Sequence, residues 1–166
     1  GTGTVFSAGT GTVNFGAAGT QTLSATATIF NNLTVSNAGL KTFSSTPTVN
    51  GILSMEGTAT VSAAPTYGAN ATLQYNTASS RTAGVEWITP FVTSGGVIIA
   101  NTGTITMNAA KVFNATAPLT VNSGSSLSMS TFLLTLNGNF VNNGGTASGT
   151  GGVTITGTAT QSIGAF

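Results

Sequence analysis

The stretch NLTVSNAGLKTFSSTPTVNGILSM runs from Asn32 to Met55 and carries one short pattern at both ends. Leu33-Thr34-Val35 and Leu53-Ser54-Met55 are apolar-polar-apolar triplets, the second set twenty positions after the first. Such alternation puts the outer two side chains on one side of a short strand and the middle one on the other. Outward from this pair the triplet recurs at Val13-Asn14-Phe15 and Leu73-Gln74-Tyr75, by the same step. The spacing then loosens through Val97-Ile98-Ile99, Leu119-Thr120-Val121, Leu134-Thr135-Leu136 and Val153-Thr154-Ile155. Seven steps lead from Val13 to Val153, and their average is again twenty. A fixed period of this length marks a solenoid, each repeat being one coil laid on the last.

Turn formers separate the triplets, as in Asn37 to Gly39, Asn122 to Ser126 and Asn142 to Gly145. Glycine and asparagine tolerate positive φ, so corners fall there. No window carries apolar residues at helical spacing between a cap and a stop. The expected fold is all-β, a right-handed parallel β-helix (β-solenoid) with about 20 residues per coil. Its core would stack Val13, Phe15, Leu33, Val35, Leu53, Met55, Leu73, Tyr75, Leu119, Val121, Leu134, Leu136, Val153 and Ile155. A β-sandwich also accommodates short strands with Gly-rich turns, but its strands rarely recur at a fixed interval.

Composition narrows the function. The 166 residues include five charged ones, Lys41, Glu56, Arg81, Glu86 and Lys111, and no Asp, His or Cys. A charged fraction of 3 % stands against about 25 % in ordinary domains, so the polar surface is hydroxyl and amide. Thr is the commonest residue and Gly supplies 23 positions. A net charge of +1 gives no basic patch to neutralise phosphates, which argues against nucleic acid as a partner. No run approaches the roughly 18 apolar residues of a spanning helix. The aromatic girdles and charged lumen of a membrane barrel are missing as well, so membrane insertion is not expected.

Catalysis finds few candidates. A glycosidase needs two carboxylates within about 5–10 Å, and Glu56 and Glu86 stand one and a half coils apart in the sequence. No His serves as a general base or activates a Ser, and two separated Glu make no calcium cage. The reading is therefore non-enzymatic, with no metal or cofactor.

Tyr75 to Gly96 interrupts the period and lengthens one coil by four positions, from Leu73 to Val97. It holds the only Trp, two of the five charges and Pro90. On one reading a bulge presents Arg81, Glu86 and Trp87 to a ligand, such as a sugar stacked on the indole. On the other, Trp87 and Phe91 plug a wider coil while Arg81 and Glu86 pair at the surface.

Several phrases together resemble a known architecture: FNNLTVSNAG from Phe30, TVNGILSM from Thr48, ATLQYNTASSRTAGVEW from Ala71, LTLNGNFVNNGG from Leu134 and GTATQSIGAF from Gly157. They look like the repeat modules of very large surface proteins of Bacteroidota, in which phrases of these types recur in the same order. That resemblance implies a secreted β-helical adhesin or surface filament, extracellular or at the cell surface, exported by type IX secretion. Its partners would be adjacent modules of the same chain and surface glycans or other cells.

Ice binding is the rival reading, because Thr-x-Thr pairs stacked on a flat face can match a lattice of water. Thr26-Ala27-Thr28 and Thr46-Pro47-Thr48 lie one period apart, while Thr58-Ala59-Thr60 and Thr102-Gly103-Thr104 fall outside that register. A carbohydrate-binding β-helix is a further alternative. The N-x-S/T sequons at Asn32, Asn70 and Asn114 are the number chance gives in so Asn- and Thr-rich a chain; these Asn are expected at corners or in ladders between coils.

The chain also returns to its own beginning. When Gly9 is laid on Gly149, Gly9, Thr10, Gly11, Val13, Thr20 and Gln21 meet identical residues. Phe15, Thr22 and Leu23 meet Ile155, Ser162 and Ile163. The expectation is a slice of a tandem array: residues 1–8 end one module, 9–148 form a seven-coil module, and 149–166 begin the next.

Overall fold

Short strands joined by tight corners stack into one column in the computed structural model, which describes residues 4–166. The first three positions of the expected module end at 1–8 lie outside the described residues. Among the described residues there is no helix, the strands are two to four residues long, and the ladders between them are parallel. The fold is a β-solenoid of about eight turns. Each coil visits three faces in the same order. The first face is a single seven-stranded sheet of Thr12–Phe15, Asn32–Val35, Ile52–Met55, Thr72–Tyr75, Val97–Ile99, Leu119–Val121 and Phe140–Asn142.

The second face begins with Gln21–Leu23, Leu40–Phe43 and Thr60–Val61 and resumes in a separate sheet at Arg81–Thr82, Thr104–Thr106, Ser126–Ser128 and Thr146–Ser148. The third carries Val5–Ser7, Ala27–Phe30, Pro47–Val49 and Thr66–Tyr67, and resumes at Lys111–Phe113, Leu134–Leu136 and Val153–Ile155. Both breaks flank the long step from Leu73 to Val97. There the third face is reduced to one bridge, Phe91 to Phe113.

Alternation explains why these residues make this column. In Leu33-Thr34-Val35 the flanking side chains are buried and the Thr faces out, and Leu33 pairs with Leu53, which pairs with Leu73. Like side chains therefore lie on one another from coil to coil, and the buried residues form one continuous core. The corner after the first face needs a left-handed residue in successive coils, filled by Asn37 at φ 62° and Gly57 at φ 64°. A Cβ at Gly57 would collide with the Asn37 carbonyl oxygen beneath it, so stacking forces glycine there.

The register departs from the expected one after Leu119. On the first face Leu119 pairs with Phe140, not Leu134. Leu134 and Leu136 are fully buried, but on the third face, between Lys111–Phe113 and Val153–Ile155. The first face therefore steps from Val13 through Leu33, Leu53, Leu73, Val97 and Leu119 to Phe140. Its first three steps are equal and its last three are longer and uneven. Leu119 and Leu134 share a triplet pattern because all three faces bury alternate residues, and the pattern alone does not say which face a triplet occupies. The expected core is buried from Leu33 to Leu136. Toward the ends Val13, Phe15 and Val153 are only partly buried, and Ile155 is 50 % exposed because no coil lies over it among the described residues.

Candidate functional site

The wide coil gathers most of the chain's ionisable groups. Arg81 opens its second-face strand and pairs with inward-facing Ile105, so the same alternation that turns Thr82 outward turns Arg81 inward. Its guanidinium lies 3.7 Å from Glu86 Oε1, with side-chain exposures of 5 % and 0 %. That oxygen also accepts from the Tyr75 hydroxyl at 2.9 Å and the Gly84 amide at 2.8 Å. The Tyr67 hydroxyl donates to the Glu86 carbonyl at 2.8 Å. Lys111, also buried, donates from Nζ to the Trp87 carbonyl at 2.6 Å and lies 5.5 Å from the indole centroid.

Aromatic rings close the rest of the volume. Trp87 is 5.8 Å from Tyr75 and 6.1 Å from Phe113, and Phe91 sits 5.2 Å from Tyr67. Burial, followed by the neighbouring Glu86 charge, pushes the Tyr67 and Tyr75 hydroxyls above their ordinary value of 10.0. Burial lowers Lys111 from 10.5, an effect the Glu86 charge partly opposes. Among the described residues three buried polar atoms, Arg81 Nε, Glu86 Oε2 and Trp87 Nε1, have no hydrogen-bond partner.

Arg81, Glu86 and Trp87 are thus together, but inside the core. Trp87 is 2 % exposed, so its ring offers no stacking face to solvent. Trp87 and Phe91 do plug the wider coil; the Arg81–Glu86 pair is interior and not at the surface. Its chemistry is that of a polar plug, with one carboxylate held by a guanidinium, a phenol and an amide. Sequence reasoning missed Tyr67 and Lys111 as members. The available signal for Lys111 was the alternation Lys111-Val112-Phe113, which turns Lys111 to the same side as the buried Phe113.

A second buried cation stands apart. Lys41 is fully buried, and its Nζ donates to the carbonyls of Ala17, Gly19 and Ala38 at 2.5, 2.9 and 2.9 Å. It satisfies corner carbonyls of its own coil and the one beneath. Glu56, by contrast, lies outside the first face, where Ser54 Oγ donates to it at 2.9 Å and Asn76 Nδ2 at 3.4 Å.

Outward positions are nearly uncharged and regular. On the second face Thr104, Ser126 and Thr146 form one column, and Thr82, Thr106, Ser128 and Ser148 a parallel one. Thr146 Oγ1 donates to Ser126 Oγ at 3.0 Å. The Thr26/Thr46 ladder on which the ice-binding reading would draw does not form: Pro47 pairs with Thr28 and Thr48 with Ile29, one position short of the full period. Thr28 is buried and hydrogen-bonded to Ser45. The first face carries an open polar groove that includes Asn32, Thr34, Ser54, Gln74 and Asn76. Asn side chains link coils at the corners, as Asn101 to Asn76 at 3.3 Å and Asn143 to Asn122 at 3.1 Å. Of the sequon residues, Asn32 accepts from the Ile52 amide and Asn70 from Ser94. Comparison with protein-family models, with curated proteins and with solved structures gives no match to this chain.

Proposed function

We propose that the chain is a non-catalytic structural and adhesive repeat module of a large extracellular bacterial surface adhesin or filament, acting as a stiff rod. One observation carries the reading. The ladder of the first face and a single core continue through the regular and the wide coils alike, while Lys41, Arg81, Glu86 and Lys111 are turned inward to fill the column. What faces out among the described residues, Glu56 apart, is uncharged, made of hydroxyls, amides and scattered apolar side chains such as Ile52, Val85 and Val92, so salt has little charge to screen. Such a body suits holding a shape and touching neutral surfaces, with glycans reaching the groove of the first face. Micrographs of a chain of several units should show a thin, stiff fibre that binds polysaccharide-coated beads independently of salt. Globular beads on flexible linkers would refute the rod, and absence of bead binding would reduce the role to a spacer.

A second reading is favoured by the paired hydroxyl columns of the second face. Their spacing is about 4.8 Å along the axis and about 6.7 Å across each strand, a regular array on which water could order. Thermal hysteresis of the purified protein decides between the two: a clear freezing gap, abolished by Ser128→Tyr, supports ice binding and sinks the adhesive role.

A further inference from the structure

Two stretches of the chain fold alike on different faces. The stretches that match when Gly9 is laid on Gly149 also match in part of their structure. Both glycines have positive φ, although at different values, 62° and 127°. Thr12–Phe15 and Val153–Ile155 are strands, preceded by Val5–Ser7 and Thr146–Ser148. Gln21 folds back so that its Oε1 accepts from the Ala17 amide at 2.9 Å, and Gln161 does the same with Gly157 at 3.1 Å.

The faces, however, do not coincide. Thr12–Phe15 belongs to the first face and Val153–Ile155 to the third; Gln21–Leu23 lies on the second, while Ile163 bridges Phe140 on the first. Six whole coils carry the chain from Val13 to Phe140, and two further faces bring it to Val153, one face short of closing the seventh. The same local unit thus reappears one third of a turn out of phase.

Gln161 also shows how the returning stretch is fastened. Its Nε2 donates to the Leu136 and Gly138 carbonyls of the coil beneath at 3.1 and 2.8 Å. Lys41, one coil above Gln21 at the same corner, grips the Ala17 and Gly19 carbonyls in the same way.

Resting on the tandem-rod reading above, we infer that successive copies of the unit from Gly9 to Ser148 dock coil on coil with a rotation of one third of a turn, a Gln161-type clamp closing each junction. The docking surface is the end coil around Leu134–Leu136 and Phe140–Asn142, and its occupant is the next copy of the same sequence. At about 4.8 Å per coil, six and two-thirds coils advance the rod by about 32 Å per unit, and three units return it to phase after about 96 Å. Every side chain of the unit then points in three directions along the rod. The groove of the first face is offered all round, so the fibre has no blind side.

The experiment is electron cryomicroscopy of a chain carrying three units, made by continuing residue 166 with residues 27–148 and repeating the unit. Adjacent wide coils rotated by about 120° and advanced by about 32 Å are expected. Wide coils in line on one side of a continuous rod would overturn the screw and leave the rod intact; separate stacks on irregular linkers would overturn the rod itself. Hydrogen exchange on the present chain tests the clamp. Gln161→Ala should speed exchange at Gly157 and Ser162 by tenfold or more relative to Leu53, and unchanged rates would remove the clamp from the junction.

Discussion

The coils between Val13 and Leu73 and the one between Leu73 and Val97 hold the same ladder around opposite interiors. The first step evenly on the first face and are filled mainly by aliphatic and phenylalanine side chains, with Phe15, Phe30 and Phe43 meeting at 5.3 to 6.2 Å and Lys41 held at a corner by backbone carbonyls. The second has four more residues and is filled by an indole, two tyrosines and an ion pair. Backbone pairing on the first face continues through both without a break. The perimeter of a coil is thus free to grow provided its interior is filled, because the ladder constrains only the paired strands and not the corner between them. Filling with polar groups carries a cost that aliphatic filling does not: every polar atom left without a partner inside, as Arg81 Nε, Glu86 Oε2 and Trp87 Nε1 are, weakens the coil.

That cost makes the wide coil the more brittle region. Glu86→Ala leaves Arg81 and Tyr75 buried without their shared acceptor and should cost about 3–5 kcal/mol, read by chemical denaturation. Retention of wild-type stability would mean that the carboxylate is not the keystone of the plug. In the regular coils, Leu53→Ala should cost about 2–5 kcal/mol through the cavity it opens. A neutral result there would break the stacked register.

The corrected register yields a paired test of intermediate size. Leu134→Ala, at a fully buried third-face position, should cost as much as Leu53→Ala. Ile155→Ala, half exposed in the same sheet, should stay within about 1 kcal/mol. Equal losses would show that the third face continues to be covered above Val153–Ile155.

Smaller still is the pH response, which comes from the wide coil. Tyr67 and Tyr75 have raised folded-state values, so their contribution is complete below about pH 10 and is lost as the unfolded chain ionises above it. Lys111 is lowered from 10.5; the unfolded chain then binds the extra proton, and stability rises with pH up to that value. Melting temperature should change little between about pH 5 and 9 and fall by several degrees above about pH 10. The double variant Tyr67→Phe/Tyr75→Phe should remove the fall. An unchanged alkaline loss in that variant would place its source outside the plug.

Much of the fold was legible because the period is a backbone property. Leu33, Leu53 and Leu73 recur at the distance one coil takes to return on the first face, and there they lie over one another. The face of Leu134 was not legible, since alternation is identical on all three faces and only the count of corners distinguishes them. The long coil from Leu73 to Val97 was visible as an interruption, yet its polarity misled. Arg81 and Glu86 read as surface residues by their charge, and only the pairing of Arg81 with Ile105 turns it inward. The hydroxyl columns from Thr82 to Ser148 escaped because their steps, from Thr82 to Thr106, Ser128 and Ser148, shorten each time with the uneven corners.

By itself the sequence determined that this chain is a stack of short strands whose polar exterior is hydroxyl and amide, with almost no charge to place. Periodic burial and composition are local quantities that survive without coordinates. The tertiary structure alone decided which face each triplet occupies, that the ion pair lies within the core, and that the returning stretch from Gly149 sits a third of a turn from its counterpart. Those depend on how many residues each corner consumes, and corner length is set by what must fit inside the coil.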